Sequence, residues 1–124
     1  MIVRVLQARV SGPNVASFNA LFRRQVELLR EQPGLEYVKL ARRLQPDGSE
    51  EVLLFEEWLT PADVYRWVGP NLGAPRLVPG TRELIDSLVV THYEALDREM
   101  DAGQVALDAA DDAADDAPEE EGAA

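Results

Sequence analysis

Few side chains in this sequence are suited to moving a proton or gripping a ligand. His92 is the only histidine among 124 residues. Imidazole is the side chain whose ordinary pKa lies closest to neutrality, which makes His92 a candidate general base, although a lone strand histidine is also an ordinary structural residue. The two tryptophans, Trp58 and Trp67, offer large apolar faces with one N–H handle each, fit for the wall of a small-molecule pocket or for a packed core. Tyr37, Lys39 and Glu56 join Trp58 if a hairpin turn is centred on Asp47-Gly48, which sets Lys39 opposite Glu56 and Tyr37 opposite Trp58. As an exposed cross-strand ion pair, Lys39 and Glu56 contribute about 0.2–1 kcal/mol. Buried beside two aromatic rings, they would orient a polar substrate group, and Glu56 becomes the second candidate catalytic residue. Tyr65 and Trp67 lie two apart on a short helix and cannot both face a sheet squarely, so one meets a ligand, a lid or solvent. Arg76, in a proline-rich loop, is placed either to clamp an anion or to be solvated.

The elements that must position these groups follow from patterning. Residues 2–10 (IVRVLQARV) read as a strand interrupted by polar Arg4, Gln7 and Arg9. Asn14 is a candidate cap for a helix whose apolar positions Val15, Phe18, Phe22, Val26 and Leu29 recur every three or four residues, and Pro33-Gly34 stops it. Strands at Leu35–Leu44 and Val52–Leu59 flank Pro46-Asp47-Gly48-Ser49, a hairpin signal. In the expected register Arg43 faces Val52, and Val38, Leu40, Leu53, Phe55 and Leu59 share the second face. Thr60-Pro61-Ala62-Asp63 predicts an N-cap, a first-turn proline and a first-turn acid for a helix over Pro61–Val68. Residues 69–80 (GPNLGAPRLVPG) read as a loop or lid, a helical turn is expected at Thr81–Asp86, and a last strand over Ser87–Leu96 carries Leu88, Val90, His92 and Glu94 on one side.

This order, β-α-β-β-α-β, predicts an α+β, ferredoxin-like fold: a four-stranded antiparallel sheet with both helices on one face. The other face stays bare. Because the third strand is apolar on both sides, a homodimer joined through sheet faces is expected.

Charge divides the chain. All 12 basic residues and 13 of the 23 acids lie within residues 1–98, so that body carries a net charge of about −1, while residues 99–124 hold ten acids and no Lys or Arg. The body is expected to be one domain and the tail disordered, since its Ala-Asp-Glu composition cannot bury enough apolar surface to order itself. A near-neutral body with scattered arginines carries no footprint for nucleic acid and no basic amphipathic helix for a membrane. With no cysteine there is no thiolate metal site or disulfide framework, and a reducing, cytoplasmic setting is the expectation. The paired aspartates of the tail lack calcium-loop spacing, so no metal is assigned.

The strand ending Phe55-Glu56-Glu57-Trp58, the helix that follows it and the last strand through His92-Tyr93-Glu94 together resemble the antibiotic biosynthesis monooxygenase family of dimeric α+β barrels, over roughly residues 1–97. The resemblance implies a ligand between sheet and helices near Trp58. It also implies oxidation of an aromatic, polyketide or quinol-like molecule by dioxygen without metal, flavin or other cofactor, the protein supplying binding, deprotonation and desolvation. A non-catalytic homodimeric small-molecule-binding or accessory protein on the same fold is the alternative. A third reading, haem binding or degradation, draws on Trp67 standing nine residues after Trp58. It lacks the first-strand asparagine, the position falling near Leu6 and Gln7, and the histidine ligand, whose position falls near Arg76.

Overall fold

The computed structural model describes residues 1–96, and the acidic segment 99–124 lies outside the described residues. The strands β1 (Ile2–Val10), β2 (Leu35–Leu44), β3 (Glu50–Trp58) and β4 (Ser87–Glu94) and the helices α1 (Val15–Arg30) and α2 (Pro61–Val68) follow one another in the expected order, with single 3₁₀ turns at Gly12–Asn14 and Arg82–Leu84. The sheet is antiparallel throughout, in the spatial order β2-β3-β1-β4. It is the ferredoxin-like α+β arrangement.

Period-two alternation decides which side is core. Leu6, Ala8 and Val10 of β1 and Val52, Leu54 and Trp58 of β3 are buried and pack with Phe18, Phe22 and Leu29 of α1 and Val64 and Trp67 of α2. On α1 the buried positions are spaced four, three and four apart, which is one helical face. Phe18 and Phe22 stack on it with ring centroids 4.5 Å apart. The expected Asn14 side-chain cap does not form, because Asn14 already closes the preceding 3₁₀ turn and is itself helical at φ −98°. Thr60 does cap α2: its side chain accepts from the Asp63 N–H and donates to the Asp63 carboxylate, a reciprocal cap with Asp in place of Glu.

The β2–β3 register differs from expectation by one residue. Leu44 pairs with Glu50, Arg43 with Glu51, Lys39 with Phe55 and Tyr37 with Glu57, with a bulge between Leu35 and Tyr37. The loop is the cause. Gln45 N–H donates to the Ser49 carbonyl and Gly48 N–H to that of Gln45, so three residues, centred on Asp47, connect the strands, with Gly48 at φ +88°. A two-residue turn and a three-residue turn with a positive-φ glycine put opposite parities on the partner strand. Asp47 is pinned by the Ser49 N–H and hydroxyl.

The sheet's second face carries no helix. Leu53, Tyr37, Val89 and Tyr93 are exposed there, and Tyr37 packs edge-on against Phe55 at 6.0 Å.

Candidate functional site

The polar centre of the molecule is built on the helix-facing side, where three neighbouring strands present a row of charged or titratable groups. Arg4 of β1 lies directly opposite Glu56 of β3 and opposite His92 of β4. Arg4 and Glu56 are each only 1% exposed. The guanidinium is held by the carbonyls of Leu72 (2.6 Å) and Ala74 (2.7 Å) and by His92 Nε2 (2.9 Å), while its Nε lies 3.6 Å from Glu56 Oε1. On the same strand face, Trp58 Nε1–H donates to Glu56 Oε1 at 2.8 Å.

These contacts fix protonation states. Guanidinium is a donor only, so the 2.9 Å contact requires a lone pair on His92 Nε2 and places the ring proton on Nδ1. Burial, followed by the Arg4 charge, holds the His92 pKa below its ordinary value. A neutral imidazole whose basic nitrogen is occupied by Arg4 is poorly placed to take a proton from a substrate. Glu56 goes the other way: burial raises its carboxyl to about 7, against the opposing pull of the Trp58 N–H and then of Arg4. A carboxyl group poised near neutrality is suited to general-base work.

A wall of aromatic and guanidinium groups adjoins this row. The rings of Trp58 and Trp67 stack at 6.4 Å, and the Arg76 guanidinium lies 4.4 Å above the Trp67 ring while donating to the Trp67 carbonyl at 2.7 Å. The segment between α2 and β4 is strapped over this wall from three sides. Arg4 holds it at Leu72 and Ala74, Gln25 of α1 donates to the Arg76 carbonyl (2.6 Å) and accepts from Val78 N–H (2.9 Å), and Arg76 returns to α2. Trp58 is fully buried.

The structure thus gathers four of the residues singled out by sequence around Arg4 and the strap: Glu56, Trp58, Trp67 and His92, with Arg76 as their cover. It sets the other three apart. Tyr37 and Lys39 lie on the helix-free side of β2, so Lys39 is not the partner of Glu56; that partner is Arg4. Tyr65 points outward, 46% exposed. Among the described residues, four of the clefts that open to solvent can be placed on the fold. Two run between α1 and β2, one lies beside Tyr37 and Phe55 on the helix-free face, and one lies near Gln7 and Leu53. None of these four is lined by Trp58 or His92. Val38, which lines the larger α1–β2 cleft, is the cross-strand neighbour of Glu56.

Two of the buried polar residues that hold this site together, Arg4 and Gln25, are not among the candidates read from the sequence. Arg4 was grouped with Gln7 and Arg9 as a polar interruption of β1, but it has the parity of Leu6, Ala8 and Val10, and that parity is the signal of an inward cation. Gln25 falls three residues after Phe22 and four before Leu29, on the apolar stripe of α1.

Among the described residues no three His, Asp or Glu side chains gather as a metal site would require, and no helix is long and apolar enough to cross a membrane. The position where the haem reading needed a ligand is held by Arg76, which has donors only and is engaged by Trp67.

A split βαββαβ sheet with a buried acid–cation row under an aromatic wall defines a small ferredoxin-like α+β domain. The antibiotic biosynthesis monooxygenase family model matches residues 1–70, more than half of the sequence, and the chain belongs to that family. The fold is shared with an antibiotic biosynthesis monooxygenase family protein from Deinococcus radiodurans (TM-score 0.65, 18% identity, 83% of this chain and 100% of that one). It is shared also with a similarly assigned protein from Nitrosomonas europaea (TM-score 0.61, 14% identity, 78% and 100%). SnoaB, a cofactor-independent oxygenase from Streptomyces nogalater, superposes with a TM-score of 0.56 at 20% identity over 78% of this chain and 94% of its own. At these identities the likeness is one of fold. The sequence has no significant match among curated proteins.

Proposed function

We propose that this protein is a cofactor-independent monooxygenase that acts on an aromatic or polyketide-derived molecule bearing an acidic C–H or phenolic O–H, with Glu56 as the base. The carrying observation is the buried Glu56 carboxyl, raised to about 7 and held between the Trp58 N–H and the Arg4 guanidinium. Glu56 takes the substrate proton, and the resulting carbanion or phenolate is the reductant of dioxygen. For a CH₂ substrate, one oxygen atom becomes the new carbonyl, the two hydrogens leave with the other oxygen as water, and no external electrons are needed. Trp58 and Trp67 supply the wall against which an aromatic ring stacks once the 69–80 strap lifts, and Arg76 pairs with developing negative charge. His92 positions Arg4 by accepting its N–H.

Membership in the family and the likeness to SnoaB support this reading. The exposed apolar side chains of the helix-free face support a homodimer joined through its sheets. Tyr37 and Lys39 then lie at that junction, where a second subunit would bring them nearer to a ligand.

The test is oxygen uptake with a panel of hydroquinones and anthrones. Turnover is expected to rise with pH through about 7 as Glu56 ionises, and to fall by about 10²–10⁴-fold in Glu56→Gln. Undiminished turnover in Glu56→Gln would exclude Glu56 as the base. Absence of uptake across the panel, with tight binding of the same molecules, would favour a binding protein, the reading to which the full burial of Trp58 lends itself.

A further inference from the structure

The larger cleft between α1 and the edge strand β2 has a volume of about 470 Å³ and an unusual charge pattern. Its floor is apolar, made by Val26, Val38 and Leu40, and its rim carries Arg23 and Arg30. Glu27, also on the rim, is engaged by Arg24 at 3.4 Å. Among the described residues neither Arg23 nor Arg30 has a carboxylate within 4.0 Å, in contrast to Arg24, Arg42, Arg43 and Arg66, each of which is paired. The neighbouring cleft shares Arg23 and Leu40, so the groove continues along β2 toward Arg42. Two exposed guanidiniums with no carboxylate partner among the described residues, set around an apolar trough, make a receptor for an acidic segment with a few large apolar residues.

The chain carries such a segment. Residues 99–124 contain ten carboxylates and no cation, and their large apolar residues are few: Met100, Val105 and Leu107. Reach is sufficient. Glu94 at the end of β4, Ile2, Trp58 and Leu35 at the start of β2 form one row across the sheet, so the tail departs from the end of the sheet at which β2 begins. Three strand spacings of ~4.8 Å separate β4 from β2, about 14 Å, and an extended chain gains ~3.3 Å per residue. The ten residues between Glu94 and Val105 cover that distance with slack to spare.

We propose that the α1–β2 groove is the docking site of this chain's own acidic segment. Val105 and Leu107 sit on the Val26-Val38-Leu40 floor, and the flanking carboxylates meet Arg23 and Arg30. The docked segment occupies the groove and competes with any other anion for its rim. The net charge of the whole protein then overstates what the groove presents to solvent.

The absence of cysteine gives a clean test on the full chain. A nitroxide attached at Ala106→Cys in ¹⁵N-labelled protein should broaden amide signals confined to residues 23–30 and 38–42. The broadening should vanish at roughly 0.5 M salt, where the screening length drops to a few ångströms. It should also vanish in an Arg23→Glu/Arg30→Glu variant, whose two changes are at exposed positions. Broadening absent, spread over all faces, or centred on the helix-free sheet face overturns the proposal. So does broadening that appears equally when spin-labelled unenriched chains are mixed with unlabelled ¹⁵N chains, since the contact then belongs to a second copy.

Discussion

Replacing Glu56 by Gln should remove a defined piece of the protein's pH-dependent stability. The carboxyl is raised from 4.5 to about 7 in the folded chain, so between these values the folded state holds a proton that the unfolded state has lost. Stability from this group is fully present below pH 4.5 and declines as pH rises, the loss being complete above about 7. At 1.36 kcal/mol per unit, that gap corresponds to about 3 kcal/mol. His92 acts in the opposite sense: its pKa is held below 6.5, so its contribution is present above pH 6.5 and is lost as pH falls through the lowered value. Comparing variant with wild type cancels this and every other shared titration. The assay is urea unfolding of the full chain, followed by fluorescence of the two tryptophans, at fixed protein concentration and at half-unit steps from pH 4.5 to 8.5. Wild-type stability relative to Glu56→Gln should fall by about 3 kcal/mol across the range, most steeply between pH 5 and 7. The amide can still accept the Trp58 N–H, so any loss of packing adds a constant offset and no slope. Parallel curves for the two proteins would refute the assignment of a raised pKa to Glu56, and with it the reason for choosing Glu56 as the base.

Three further outcomes are expected. Arg4→Leu leaves the Leu72 and Ala74 carbonyls and the Glu56 carboxylate without their partner; a loss of about 3–5 kcal/mol is expected in urea unfolding at pH 8, with faster amide hydrogen exchange through residues 69–80 by mass spectrometry. Gly34→Ala should destabilise by about 1–3 kcal/mol, read as a lowered unfolding midpoint, because Gly34 sits at φ +87° and a Cβ there would collide with the Asp63 side chain. Phe55→Glu places a charge on the helix-free face beside Tyr37; if the proposed sheet-to-sheet homodimer forms, sedimentation equilibrium should give a dimer mass for wild type and a monomer mass for the variant, with the far-ultraviolet circular dichroism unchanged.

Element order and helix faces were legible in the sequence because each rests on local chemistry: β-branched runs, a three-and-four apolar period, and a proline and a cap at fixed offsets. The site was legible as a set of residues and illegible as a set of partners, since partnership in a sheet depends on register and register on one turn. Reading Asp47-Gly48 as a two-residue turn gave Glu56 the wrong counter-ion, Lys39, and gave Trp58 the wrong neighbour, Tyr37. The side chains of β3 still divide between the same two faces whichever turn is chosen, and for that reason Glu56 and Trp58 stayed together while their β2 partners changed. The cation that faces Glu56 comes from β1, at a sequence separation no local rule spans, and its only trace is an even-numbered Arg4 in line with Leu6, Ala8 and Val10. A charged residue with the parity of a buried strand face must find its counter-charge on a neighbouring strand or incur several kcal/mol of desolvation. Of the carboxylates on this face, Glu94 of β4 is exposed at the sheet's end, which leaves Glu50 and Glu56, both of buried parity on β3. Glu50 lies at the far end of β1, opposite Val10, and is engaged by Arg42. Parity and proximity along the strand therefore leave Glu56 for Arg4, and the acid nearest the aromatic wall is the one that burial holds near neutrality.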